Sequence, residues 1–238
     1  MRMMGKKITF GLIVGTRNIF NAQLAVMERK KLLSLLDELG FGYVIPDADR
    51  TAAGAIETRA DARICADLFK AHRDEIDGIL VVLPNFGDEL GIVQTLEMAK
   101  LDVPVLVQAC NDQIDKVDVR SRRDAFCGKL SVCNNLYQYQ ISFTDTTEHT
   151  CDIEGELFRK DVQSFAAVCR VVKGFRNARI GAFGTRPGAF QTVRYSEKIL
   201  QASGITVVPV DLSEIIARAQ GLVTARQASR PFGCRRTA

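Results

Sequence analysis

Four short loops in this sequence carry side chains able to hold a polar ligand, and each follows an apolar run that reads as a buried strand. Gly15-Thr16-Arg17-Asn18 offers a glycine for a tight turn, a guanidinium fork able to donate to a hydroxyl, carboxylate or phosphate, and an asparagine able to cap the following helix. Gly184-Thr185-Arg186-Pro187-Gly188 repeats the pattern ahead of Phe190. Leu83-Pro84-Asn85-Phe86-Gly87-Asp88-Glu89 sets an amide beside an aromatic ring, which suits a sugar-like ligand, and Asp88 can cap a helix. Ala109-Cys110-Asn111-Asp112 carries the least information. For all four, a plain turn with solvated side chains accounts for the same residues.

Asp145, Glu148 and His149 form the one local cluster of metal-ligating types, but a single histidine in a polar stretch reads more simply as a solvated connection. His72 ends a helical pattern, where positive charge suits the dipole, and needs no further role. No G-x-G-x-x-G, P-loop, H-E-x-x-H or nucleophile elbow occurs, and Gly181, Gly184 and Gly188 have the wrong spacing for a dinucleotide turn. No catalytic residue and no metal ligand is assigned from the sequence.

The elements that must position these loops alternate. Lys7 to Gly15 is a continuous apolar run that suits a strand covered on both faces. Leu32, Leu35, Leu36 and Leu39 share one helical face, and Gly40 can stop that helix. There follow a strand at Tyr43–Ile45, a helix from Thr58 to His72, a strand at Gly78–Leu83, a helix at Glu89–Lys100 and a strand at Val105–Gln108. Such βα repetition predicts a doubly wound, flavodoxin-like α/β domain with a parallel sheet, whose ligand loops lie at the carboxyl ends of the strands.

Lys129–Phe143 reads as a helix and then a short fifth strand. A further helix presents Phe158, Val162, Phe165 and Cys169 and ends at a polar break, Lys173–Asn177. The pattern then restarts: Phe183-Gly184-Thr185-Arg186 echoes Val14-Gly15-Thr16-Arg17, with strands at Ala178–Phe183 and Thr206–Val210, a helix to Ala202 and a helix start at Leu212. The expected organisation is a domain over residues 1–173, the start of a second, similar domain over 174–216, and an irregular basic tail over 217–238. That tail reads as a truncated or frame-shifted end, the alternative being a natural, solvated basic tail.

The formal charge is +4, but residues 217–238 hold five arginines and no acid, so residues 1–216 carry 27 basic against 28 acidic residues. A body of net −1 lacks the electrostatic footprint of a nucleic-acid or anionic-membrane binder. The apolar run Ile8–Val14 is far shorter than the roughly 20 residues of a membrane helix. Seven cysteines with no C-x-x-C spacing sit mostly in apolar patterns, which reads as a reduced, cytoplasmic chain.

Taken together, G-T-R after the first strand, L-P-N-F-G at residues 83–87, the linker S-F-T-D-T-T-E-H-T-C-D at 142–152 and G-T-R-P-G-A-F at 184–190 resemble the N-terminal half of the L-fucose/L-arabinose isomerase family over residues 7–216. The resemblance implies aldose–ketose interconversion with a divalent metal, usually manganese, in trimers or hexamers. It implies that Arg17 reaches a neighbouring subunit's active site and that Thr185 and Arg186 line their own subunit's pocket. The substrate-binding residues expected are therefore Arg17, Asn85, Phe86, Thr185 and Arg186. The family's metal ligands and acid–base pair lie later in its chain, so this chain alone is expected to bind no metal and to be inactive. The alternative is a non-catalytic sugar-binding or regulatory α/β module.

Overall fold

The computed structural model describes residues 7–228 of the 238, without the side chains of residues 223–228. The chain divides into two compact units, Met1–Val172 and Lys173–Ala238.

The first unit is built on a parallel sheet of order β2-β1-β3-β4-β5, with β1 at Thr9–Val14, β2 at Gly42–Val44, β3 at Gly78–Leu83, β4 at Val105–Ala109 and β5 at Thr144–Asp145. All of β3 and β4 is buried because helices cover both faces, which is why these strands are continuously apolar rather than alternating. The two-residue period still divides their side chains. Ile79 and Val81 join Val105 and Val107 against α2 (Arg59–Ala71), α3 (Glu89–Ala99) and α4 (Ala125–Gln138). Leu80 and Val82 join Phe10, Leu12 and Leu106 against α1 (Ala22–Glu38) and α5 (Glu156–Arg176). The strand order and the two helical layers are those of the flavodoxin-like doubly wound fold.

Local chemistry starts α1, α2 and α3. Asn21 caps α1, Asp88 caps α3, and Thr58 with Asp61 forms a reciprocal capping box on α2. Asn18 does not cap α1, as the sequence allowed: a turn closed from Phe20 N–H to Arg17 O delays the helix by three residues.

The second unit pairs β6 (Arg179–Phe183) in parallel with β7 (Thr206–Val210), with α6 at Glu197–Ala202 and α7 at Leu212–Ala228. Three local expectations are corrected. The polar break Lys173–Asn177 is mostly helix, since α5 runs to Arg176. The fifth strand is only Thr144–Asp145, because α4 continues through Asn134 and Asn135 to Gln138. Residues 217–228, expected to be irregular, are helical; alanine, glutamine, leucine and arginine are good helix formers and need no amphipathic period to be so. Residues 229–238 lie outside the described residues. Among the described residues no helix is long and apolar enough to cross a membrane.

Candidate functional site at the carboxyl edge of the sheet

In the order β2-β1-β3-β4-β5 the chain leaves β1 towards one side and β3 towards the other, so a crevice opens between the loops after these two strands. The loop after β1 is tied to its neighbours by Gly15 N–H donating to Val82 O at 2.9 Å and Thr16 N–H donating to Ile56 O at 3.1 Å. The loop after β3 turns at Gly87, whose φ of +70° favours glycine.

Asn85 joins the two loops. It is fully buried; its Nδ2 donates to Thr16 Oγ1 at 2.9 Å, and its Oδ1 accepts from Gly87 N–H at 3.1 Å. The amide that the sequence offered to a ligand is thus engaged in fixing the distance between the crevice walls.

Arg17 and Phe86 stand together on those walls. The Arg17 guanidinium lies over the Phe86 ring, 4.5 Å from its centroid, and forms an ion pair with Glu89, with Asp88 Oδ2 at 3.9 Å. Phe86 is stacked with Phe20, centroids 6.3 Å apart and planes 13° apart, and the Arg122 guanidinium lies 5.5 Å from the Phe20 centroid. Arg17 keeps 29% of its side chain exposed, and its Nε is buried without a partner among the described residues. An arginine held this way presents a planar donor fork at the crevice mouth.

The loop of residues 110–124 closes the third side. Asp112 accepts from Ala125 N–H at 3.1 Å and Phe126 N–H at 3.2 Å, so it caps α4 from thirteen residues away while Asp124, the residue preceding the helix, makes no side-chain cap. Arg123 donates to Pro84 O at 2.8 Å and to the buried carboxylate of Glu28 at 2.9 Å. Gly128, in the first turn of α4, lies directly against the backbone of Phe86: a Cβ there would be 1.9 Å from Phe86 O.

The Asp145, Glu148 and His149 cluster is organised by a cation already present in the chain. Lys129 is fully buried, ion-paired with Asp145, and donates to Thr146 Oγ1 at 2.7 Å and His149 O at 2.8 Å. The His149 ring packs edge-on against Phe126, centroids 4.4 Å apart. An ammonium on Asp145 is the reverse of what a divalent cation requires, and among the described residues no group of three or more His, Cys, Asp or Glu is placed to hold a metal.

Burial pushes the Cys110 and Cys169 thiols up to about 12 and Cys65 higher still, so these cysteines are protonated core residues and not nucleophiles. Thr185 and Arg186 belong to the second unit. There Arg186 Nη1 donates to the carbonyls of Pro187, Gly188 and Phe190 at 3.0, 3.1 and 3.1 Å, which folds the loop around its own side chain. Asp112 was singled out in a candidate loop, but its capping of α4 was not foreseen, and sequence reading missed Arg122, Arg123, Gly128 and Lys129. Lys129 left a signal: it falls on the helical face of Ala125, Val132 and Leu136, a core position.

A doubly wound sheet that sets an arginine, paired aromatics and carboxylates at its switch point defines the class of α/β domain. Residues 11–176 match the family described as fucose/sulfoquinovose isomerase, N-terminal domain, and the chain belongs to that family. Comparison with curated protein sequences returned no match.

Proposed function

We propose that this chain supplies sugar-facing loops to an aldose–ketose isomerase, with Arg17 donating to substrate hydroxyls and Phe86 forming the adjoining wall. The observation that carries this reading is the placement of Arg17 and Phe86 on the β1/β3 crevice of a domain that matches an isomerase family. Asn85 sets the spacing of the walls through Thr16. In the second unit, Thr185 and Arg186 are the corresponding substrate-facing pair.

Charge narrows the substrate. Arg17 is already matched by Glu89 and approached by Asp88, so a sulfonate would meet two carboxylates as well as the arginine. A neutral sugar meets no such repulsion, and its hydroxyls can both accept from the guanidinium and donate to the carboxylates. L-Fucose and L-arabinose are therefore favoured over sulfoquinovose.

A divalent metal, manganese by the family resemblance, would polarise the carbonyl and hydroxyl oxygens of the sugar during isomerisation. The described residues do not fit it, so they bind and orient substrate and no proton-transfer step is assigned to them. We further propose a cytoplasmic protein with a small-molecule sugar as partner, no nucleic-acid or membrane partner, and trimeric or hexameric assembly of the full-length enzyme.

The test is a titration of the 238-residue chain with L-fucose, L-arabinose and sulfoquinovose, followed by NMR of the arginine Nε–H groups. Neutral sugars are expected to shift Arg17, and Arg17→Ala is expected to abolish the response elsewhere in the crevice. Saturating sugar that leaves Arg17 unmoved, or moves it only with sulfoquinovose, refutes the reading.

A further inference from the structure

Arg17 is oriented by two contacts of different kinds. Glu89 matches its charge, and the Phe86 ring lies against its guanidinium, 4.5 Å from the ring centroid. A ring can do this only if it is itself fixed. The backbone of Phe86 is fixed by Gly128, which packs against it without a side chain, and its ring leans on Phe20, which is only 6% exposed.

Phe20 in turn carries Arg122 over its ring. Arg122 comes from the loop of residues 110–124, whose fifteen residues far exceed the roughly 2–6 usual between strand and helix in such folds. That loop is nevertheless anchored next to Arg122. Arg123 grips Pro84 O and Glu28, and Asp124 Oδ2 stands 3.5 Å from Arg122 Nε. A contact series Arg122, Phe20, Phe86, Arg17 therefore runs from an anchored part of the long loop to the guanidinium at the crevice.

We infer that Arg122 is a positioning residue for Arg17, acting through the Phe20–Phe86 pair, so that the loop between β4 and α4 governs how the sugar-facing arginine is presented. The inference rests on the sugar-facing reading of Arg17 only for its functional consequence; the physical coupling stands or falls separately. Removing Arg122 takes the cation off the Phe20 ring, lets the Phe20–Phe86 pair reorient, and frees the Arg17 guanidinium from the ring face. Lysine at 122 retains a cation for the ring, whereas alanine does not.

The experiment compares the 238-residue chain with Arg122→Ala and Arg122→Lys by NMR of the Arg17 Nε–H and side-chain methylene protons, which the Phe86 ring current moves upfield. Arg122→Ala is expected to return the Arg17 signals most of the way towards those of a free arginine, with the melting temperature preserved, and Arg122→Lys to restore much of the upfield shift. Arg17 signals identical in wild type and Arg122→Ala overturn the inference, as do signals displaced equally in the alanine and lysine variants. Adding L-fucose separates the two claims. Relaxed Arg17 signals in Arg122→Ala, with no sugar response in wild type, uphold the positioning role and refute the sugar reading; Arg17 signals unchanged by Arg122→Ala, with an equal sugar response in both proteins, do the opposite.

Discussion

Gly128→Ala is a one-carbon change that the structure makes costly. The added Cβ would lie 1.9 Å from the Phe86 carbonyl oxygen, 2.5 Å from its carbonyl carbon and 2.6 Å from its Cα, all backbone atoms that no rotamer change can clear. Ordinary contact needs about 3.4 Å or more, so α4 or the Phe86 loop must move by roughly 1.5 Å. Overpacking of this kind costs about 1–3 kcal/mol, and the rigid obstacle places it at the upper end. Alanine recovers about 1 kcal/mol of helix propensity, leaving a net loss of about 2 kcal/mol. For a domain of this size that is a fall in melting temperature of about 4–8 °C, measurable by thermal circular dichroism and by urea titration. Gly174→Ala is the control, since nothing lies within 4 Å of a Cβ at that helical position, and it is expected to be neutral or stabilising. A Gly128→Ala protein as stable as wild type would refute the close approach of α4 to the Phe86 loop.

Asn85→Ala strands Thr16 Oγ1 and Gly87 N–H in a buried crevice wall and is expected to cost about 1–3 kcal/mol in urea unfolding; an unchanged midpoint would show that the amide does not join the loops. Arg17→Ala is expected to lose the sugar response while changing stability by no more than about 1 kcal/mol, because its ion pair is partly exposed; a large fall in melting temperature would make Arg17 a structural residue. The buried thiols of Cys110 and Cys169 hold their protons up to about 12, whereas in the unfolded chain they ionise near the ordinary 9.0. Their contribution to stability is therefore complete below about 9 and is lost as pH rises towards 12, and a stability that climbs across that window would contradict their burial. Exposed Cys127 is expected to react with a thiol reagent in the folded protein well before Cys65, Cys110 or Cys169, as read by mass spectrometry; modification of the three buried thiols at the same rate would contradict the packing.

The sequence by itself determined the elements that depend on near neighbours. Apolar runs bounded by glycine or proline marked β1 (Gly15), β3 (Pro84) and β4 (Pro104, just before it), the leucines at helical spacing marked α1, and Asp88 at its cap position marked the start of α3. These signals are local because a helix bonds to itself within four residues and a fully covered strand must be apolar throughout. Arg17 and Phe86 were legible as loop residues after strands for the same reason. What only the tertiary structure decided is which loops meet. Asn85 finds Thr16 69 positions away, Arg123 finds Glu28 95 positions away, and Asp112 caps a helix thirteen positions on, pairings that follow from strand order and not from spacing. The same holds for Gly128, whose missing side chain matters only because the Phe86 backbone passes against it. Lys129 is buried because β5 supplies an acidic partner, Asp145, and the segment after it a carbonyl partner, His149, which no pattern along its own helix contains. Short-range bonding writes the elements into the sequence, but the chemistry of the crevice is set by strands that become neighbours only when the sheet assembles.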